Sequence, residues 1–269
     1  MFNSAITLYE DQQHKCLMFS DLVKGSGIQA NQFMIIDHGR AAMIDPGGDL
    51  TFAALSVALA KQTSLDCVDY ILASHQDPDI IASLPKWIIK TPAKVVTSRL
   101  WSRFLPHLVP GYFAAQDDLD LDARMVALPD TGDVIRLGEC DIVAVPAHFL
   151  HSVGNFQFYD PISRILFSGD MGASLIDDND MTAVDDFATH MPSMLGFHRR
   201  YMTSNRACRL WANMVRSLNV SMIVPQHGKP FKGAQINQFL DWISQLDCGV
   251  DLLTEDSYRP VGMLQRQAI

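Results

Sequence analysis

Four apolar runs in this chain each end in a side chain of the kind that binds metal ions. Residues 68–74 lead into His75, residues 141–147 into His148 and His151, residues 164–169 into Asp170, and residues 221–226 into His227. Short apolar stretches bounded by turn-forming residues read as strands. Strands laid side by side bring their ends to one rim, so this pattern constrains the chain twice. It has to build sheets, and the sheets have to gather distant imidazoles and carboxylates along one edge.

The first strand end is the densest. His75, Asp77 and Asp79 occupy alternate positions, and Pro78 restricts the backbone between the two acids. Carboxylates that close repel unless a cation or a proton compensates them. Imidazole with carboxylate suits zinc, iron or manganese, and a cluster without thiolate argues against a structural zinc knuckle. A plainer reading stands beside this one: Asp77, Pro78 and Asp79 form a solvated turn capping a helix that starts at Ile80, since Asp is a favoured N-cap. The other strand ends favour a pair of metal ions. Asp170 follows Gly169, which permits a tight bend and leaves the carboxylate at the strand tip, and His227 is followed by Gly228.

Short apolar runs alternate with helical patterns, which predicts an α/β fold. Strands are expected near residues 4–9, 16–20, 32–37, 41–45, 67–73, 93–97, 141–146, 155–159, 164–168 and 221–225, and helices near 51–62, 80–90, 198–218 and 233–246. Residues 172–195 carry five aspartates, three methionines and His190 with weak periodicity. They are expected to cross the surface beside Asp170 as a solvated face, placed to cover the site as a lid.

The residues carry a resemblance. The order His75, Asp77, Asp79, then His151, then Asp170 nineteen positions later, then His227, resembles the metallo-β-lactamase superfamily, and within it the di-iron domain of flavodiiron proteins. That branch has a His-x-Glu-x-Asp-His segment, a later His, an Asp and a final His. Residues 33–37 and 41–48 also resemble the start of such domains. The resemblance implies an αββα sandwich, two mixed sheets flanked by helices, with residues 1–269 as a single domain and no attached flavodoxin domain. It further implies that His75, Asp77 and His151 hold one metal, that Asp79 and His227 hold the other, and that Asp170 bridges them. A carboxylate at Asp77, where hydrolases of the superfamily carry His, marks the iron-binding branch. Two iron ions are thus expected, with zinc or manganese as alternatives. Ile80 departs from the pattern, which has His there, and leaves the second metal short of a ligand and open to an exogenous one.

Three further residues are candidates to stand beside the metals. His148 competes with His151, but His151 followed by Ser152 and Gly154 fits the family pattern better. Tyr201 and His198 lie on a helical segment carrying Arg199, Arg200, Arg206 and Arg209, and one face of it can pack beside the site. The competing expectation is that Tyr201, Cys208 and Trp211 bury while the arginines pair with the acidic stretch before them.

At 269 residues the length allows one large domain or two small ones, and ligands spread from His75 to His227 favour one. A net charge of −9 without a basic run disfavours nucleic-acid binding. The five cysteines are odd in number, scattered and free of CxxC pairs, which suits a reducing cytoplasm. Cys16, two residues after His14, reads as a buried strand cysteine. The N-terminus lacks both a charged n-region and a long apolar stretch, so neither a signal peptide nor a membrane span is expected. Trp101, Phe104 and Phe113 are assigned either to a core or to a homodimer interface.

The expected function is dioxygen binding by a non-haem di-iron protein, as a sensor or carrier, with a separate signalling or redox protein as partner and no flavin in this chain. Two alternatives are an oxygen or nitric oxide reductase fed by a separate donor and a dinuclear hydrolase. Asp77 and Ile80 stand against the hydrolase.

Overall fold

The computed structural model describes residues 5–110, 120–176 and 180–260. One sheet has seven strands in sequence order: β1 (Ile6–Glu10), β2 (His14–Phe19), β3 (Gln32–Asp37), β4 (Arg40–Ile44), β5 (Val68–Leu72), β6 (Lys94–Ser98) and β7 (Met125–Leu128). Strands β1 to β4 pair antiparallel and β4 to β7 parallel. The change has a local cause. A two-residue turn at His38 and Gly39 joins β3 to β4, whereas parallel β5 needs a crossover, supplied by α1 (Phe52–Ala60). The second sheet runs β13 (Phe231–Lys232), β12 (Met222–Val224), β11 (Ile165–Phe167), β10 (Phe156–Asp160), β9 (Cys140–Pro146) and β8 (Asp133–Leu137), with only β11 and β12 parallel.

Alternation along the strands sorts side chains into three cores. In β3, Phe33 and Ile35 enter the space between the sheets, where they meet Phe156, Phe158 and Phe167, while Met34 points outward. The outer face of the first sheet packs on Leu55 and Leu59 of α1 and on Trp87 and Ile88. The outer face of the second packs Val145, Leu166 and Ile223 on Trp211, Val215, Phe239 and Ile243. Both faces of each sheet are thus covered, which is why β3 and β11 are continuous apolar runs rather than alternating ones. The architecture is the αββα sandwich of two mixed sheets that the resemblance implied.

Helix boundaries depart from expectation in two places. The helix expected at 80–90 is two, α2 (Pro78–Ile81) and α3 (Leu84–Lys90), because the Ser83 hydroxyl between them bonds the Pro46 and Gly47 carbonyls at 2.9 and 2.7 Å. After the short α4 (Leu121–Arg124), the helix expected at 198–218 is also two, α5 (Phe187–Tyr201) and α6 (Asn205–Ser217). Asp186 caps the first by accepting from the Ala188 amide, and Ser204 caps the second by accepting from the Ala207 amide. Helix α7 (Ala234–Gln245) follows.

Residues 172–195 were expected to cross the surface as a solvated face, yet Ala173, Val184 and Met194 are buried, the last inside α5. Their acidic groups also pair differently from expectation: among the described residues of this stretch, Asp180 pairs with Lys229 rather than with an arginine. Strands β7, β8 and β13 were not expected. Trp101 is partly buried against the outer core of the first sheet and Phe104 is 55% exposed, while Phe113 lies outside the described residues. No helix among the described residues is long and apolar enough to cross a membrane.

Candidate metal centre

All four strand ends singled out in the sequence meet at one rim. The Phe156 amide bonds the Ser74 carbonyl at 3.1 Å, joining the two sheets beside His75, and the Gln226 amide bonds the Gly169 carbonyl at 2.9 Å, joining the Asp170 and His227 turns. Gly169 takes φ +55°, the left-handed bend expected before Asp170. Gly228, at φ +82°, sits so close to Ser174 that a Cβ would overlap its hydroxyl.

Asp170 occupies the centre. Its Oδ2 is 2.8 Å from His151 Nε2 and 3.5 Å from His75 Nε2, while its Oδ1 is 3.4 Å from His227 Nε2. Asp77 Oδ2 joins the first group at 3.2 Å from His151 Nε2 and 3.8 Å from His75 Nε2, and Asp79 Oδ2 joins the second at 3.5 Å from His227 Nε2. One carboxylate therefore faces two donor sets with its two oxygens. The His75, Asp77, His151 and Asp170 donors all lie within 4.8 Å of one another. The capping alternative for Asp77 fails locally: Asp77 stands at the N-cap position of α2, but its side chain makes no cap hydrogen bond.

Two of the three imidazoles are held by the far nitrogen. His227 Nδ1 donates to the Gln29 carbonyl at 2.7 Å, and His75 Nδ1 lies 2.9 Å from the Ser74 hydroxyl. In each case Nε2 is left facing the cluster, as outer partners of metal-bound histidines arrange it. Ser74 belongs to a buried network in which its amide donates to Asp45 Oδ1 at 2.8 Å and Gln226 Nε2 donates to Asp45 Oδ2. Burial, only partly offset by His75 and these donors, lifts the Asp45 carboxyl to about 6. On the other side, Gln76 donates to Asp77 at 3.2 Å and accepts from Ser152 at 2.7 Å. The sequence reading missed Asp45, Ser74 and Gln226 as supports. The available signal was position, since Ser74 and Gln226 directly precede ligands and Asp45 precedes Pro46 and two glycines.

The residues present fit a cationic group. His75 Nε2 and Asp170 Oδ1 are buried without a hydrogen-bond partner, which in a native fold calls for an explanation such as a bound ion. Burial alone would depress His151, yet Asp170 and then Asp77 outweigh it and push the imidazole up to about 10, and Asp170 lifts His227 to about 9 against the same burial. The same carboxylate field favours a bound cation. Three carboxylates and three imidazoles are donors that suit iron, zinc or manganese.

The three neighbouring candidates divide. Tyr201 is beside the site, its ring 5.5 Å from that of His151 and stacked on Phe197 at 4.7 Å. His148 is not: its Nε2 bonds the Asp130 carbonyl at 2.8 Å, and it lines a separate surface cleft with Arg99 and Phe104. The physical reason is strand geometry, because β9 ends at Pro146 and the turn that follows sends His148 and His151 to different sides. His198 is fully buried and makes no ligand contact; Nδ1 donates to the Met194 carbonyl at 2.8 Å and Nε2 accepts from the Gly172 amide at 3.0 Å. It fixes the turn that follows Asp170. Ile80 is buried at 1% exposure. A cleft of about 230 Å³ beside His227 is lined by Ile28, Leu175, Ile176 and Met181 among others.

The profile of one protein family, described as "ODP family beta lactamase", matches residues 28–228. Among solved structures, the chain is similar to the chemotaxis sensor ODP described as a peroxy diiron species, with 41% identity over 93% of this chain and 98% of that one and a TM-score of 0.81. The apo state of that sensor from T. denticola has a TM-score of 0.79 at the same identity, over 93% of this chain and 97% of that one. A flavo di-iron protein variant from Thermotoga maritima shares the fold, with a TM-score of 0.72 at 18% identity over 89% of this chain and 60% of that one. An uncharacterised protein of Methanocaldococcus jannaschii is 24% identical over 80% of this chain, which spans about half (53%) of that relative's length.

Proposed function

The chain belongs to the ODP family of beta lactamases, and on that premise we propose that it is a non-haem di-iron protein that binds dioxygen as a sensor or carrier. The likeness to a di-iron chemotaxis sensor over nearly the whole of both chains carries this reading. We assign one iron to His75, Asp77 and His151, the other to Asp79 and His227, and both to Asp170. The three carboxylates balance most of the charge of two divalent ions. A reduced iron pair, when bound, supplies the electrons and the free coordination position that dioxygen needs.

The chain's own residues then set access and orientation. Ser74 and the Gln29 carbonyl hold His75 and His227 with Nε2 inward. Ile80 puts a buried aliphatic group where the flavodiiron pattern has imidazole, which leaves a position beside Asp79 and His227 for an exogenous ligand. In this reading the chain is one domain that works in a reducing cytoplasm, signals through a separate protein or a second copy of itself, and takes any electrons for repeated turnover from a separate donor that carries the flavin.

The test is metal content with an optical spectrum of anaerobically reduced protein before and after air is admitted. Two irons per chain and a new visible band, without continuous oxygen consumption, are expected. Sustained consumption under a supplied reductant makes the protein a reductase, and two zincs with no response to air overturn the di-iron reading and point to hydrolysis.

A further inference from the structure

A second set of donor atoms converges at the opposite pole of the sandwich. His14 opens β2, Asp37 closes β3, Cys140 opens β9 and Asp160 closes β10. Strand β10 starts at Phe156 beside Ser74 and ends at Asp160, so strand rise alone separates the two clusters by roughly 13 Å. His14 Nε2 is 2.7 Å from Asp160 Oδ2, and Cys16 Sγ is 3.1 Å from that oxygen and 3.6 Å from His14 Nε2. Cys140 Sγ is 3.3 Å from Asp160 Oδ1. All four side chains are buried, none more than 2% exposed.

One imidazole, two sulfurs and a carboxylate make a four-donor set of the kind zinc takes in tetrahedral sites. Bonds of about 2.0–2.3 Å put the donors of such a site roughly 3.3–3.8 Å apart. His14, Cys140 and Asp160 offer donors within 4.8 Å of one another, the contacts of Cys16 with His14 and of both sulfurs with Asp160 are within a few tenths of an ångström of that spacing, and the His14–Asp160 hydrogen bond has to open. The far nitrogen of His14 is held in advance, Nδ1 lying 2.9 Å from Asp37 Oδ1, in the carboxylate–histidine arrangement that orients metal-bound imidazoles. Asp37 is itself fixed by the Glu139 amide at 2.6 Å. Asp160 Oδ2 is over-subscribed, because His14, Cys16, the Ser163 amide and the Ser163 hydroxyl all direct donors at it. An oxygen with about two lone pairs cannot serve them all.

We propose that His14, Cys16, Cys140 and Asp160 form a separate site for one zinc-class divalent cation, a clamp between the two sheets at the pole opposite the rim. His14 and Cys16 come from the first sheet, Cys140 and Asp160 from the second, so the cation would add a metal tie where the sheets are already joined by the His14–Asp160 contact and the Glu139 amide to Asp37. Binding replaces the two thiol protons, and any proton on His14 Nε2, with the metal. The proposal does not rest on the di-iron reading.

The test is a Co(II) titration of metal-stripped full-length protein, read in the near ultraviolet where thiolate-to-cobalt charge transfer absorbs. The six rim donors include no sulfur, so that band does not come from the rim, and Cys248→Ser separates the pole from the Cys208–Cys248 thiol pair. The expected result is a band that saturates at one Co(II) per chain and disappears on Zn(II) addition, with two sulfur neighbours in the zinc X-ray absorption spectrum. Cys16→Ser and Cys140→Ser should each lose most of the band, while Cys248→Ser keeps it. Cobalt binding with no thiolate band in the wild-type protein overturns the site, whether or not the variants fold, and so does a band that survives both substitutions. Zinc at the rim in place of iron would sink the di-iron reading and leave this one standing.

Discussion

At the rim, His75 Nε2 and Asp170 Oδ1 are buried with no hydrogen-bond partner, whereas at the opposite pole every side-chain nitrogen and oxygen of His14, Asp37 and Asp160 has one. Both clusters join histidine to aspartate at strand ends, so residue type does not separate them. The difference lies in whether the protein alone completes the arrangement. The pole stands as a hydrogen-bonded network and would exchange some of those bonds for a cation. The rim is unfinished without one, and low local dielectric makes an unfinished polar cluster costly. Two buried histidines repeat the contrast. Burial lowers both, but at His14 the bonds and charges of Asp160 and then Asp37 win and the imidazole ends raised. At His198, held between a carbonyl and an amide, burial wins and the pKa falls to about 4.

The largest effect is expected at the shared carboxylate. Asp170→Ala should remove both rim metals together in metal analysis, and retention of one iron would show that Asp170 does not serve both donor sets. Next comes the pole. In metal-free protein, Asp160→Asn removes one of the two buried carboxylates that face His14, leaving Asp37, and should cost about 3–5 kcal/mol in urea unfolding, with iron binding at the rim unchanged. A loss under about 1 kcal/mol would mean that the pole behaves like a solvated pair. Third, Ser74→Ala should weaken rim metal binding by roughly 10–100-fold through the orientation of His75. Unchanged affinity in competition with a chelator would count against that role.

The fourth prediction uses His198 and acid. Its folded pKa of about 4 lies below the ordinary imidazole value near 6.5, so the unfolded chain takes up the proton first. The stability contributed by neutral His198 is complete above about 6.5 and is lost as pH falls through the window down to about 4, by on the order of 1–3 kcal/mol. His198→Gln should flatten that part of the stability profile, and an unchanged slope would remove His198 as its source. The smallest effect is expected at Tyr201, which is 54% exposed. Tyr201→Phe should alter stability by less than about 0.5 kcal/mol and leave metal content unchanged. A shifted optical band after air in that variant would place its hydroxyl on the bound ligand.

Much of the sandwich was legible because apolar runs closed by glycine, proline or a ligand are local signals. Residues 32–37 were expected as a strand and form β3 with the same bounds. β7 and β13 were not legible: the first is a short strand at the edge of its sheet, only one of its four residues buried, and the second has only two residues. The start of α5 was hidden for a different reason. Its cap, Asp186, lies in an acidic stretch that looks like loop, and burial of Met194 is decided by packing on the second sheet.

By itself the sequence determined that four strand ends would carry His75, His151, Asp170 and His227, and that Asp77 and Asp79 would stand beside the first. Each of these rests on a few neighbouring residues, and a strand end is a local event. Only the tertiary structure decided that His148 turns toward Asp130, that Asp45, Ser74 and Gln226 interlock behind the rim, and that Cys16 meets Asp160 across 144 residues of chain. Those contacts depend on which strands pair, in what register and how the two sheets stack. These are long-range properties that periodicity along one strand does not encode.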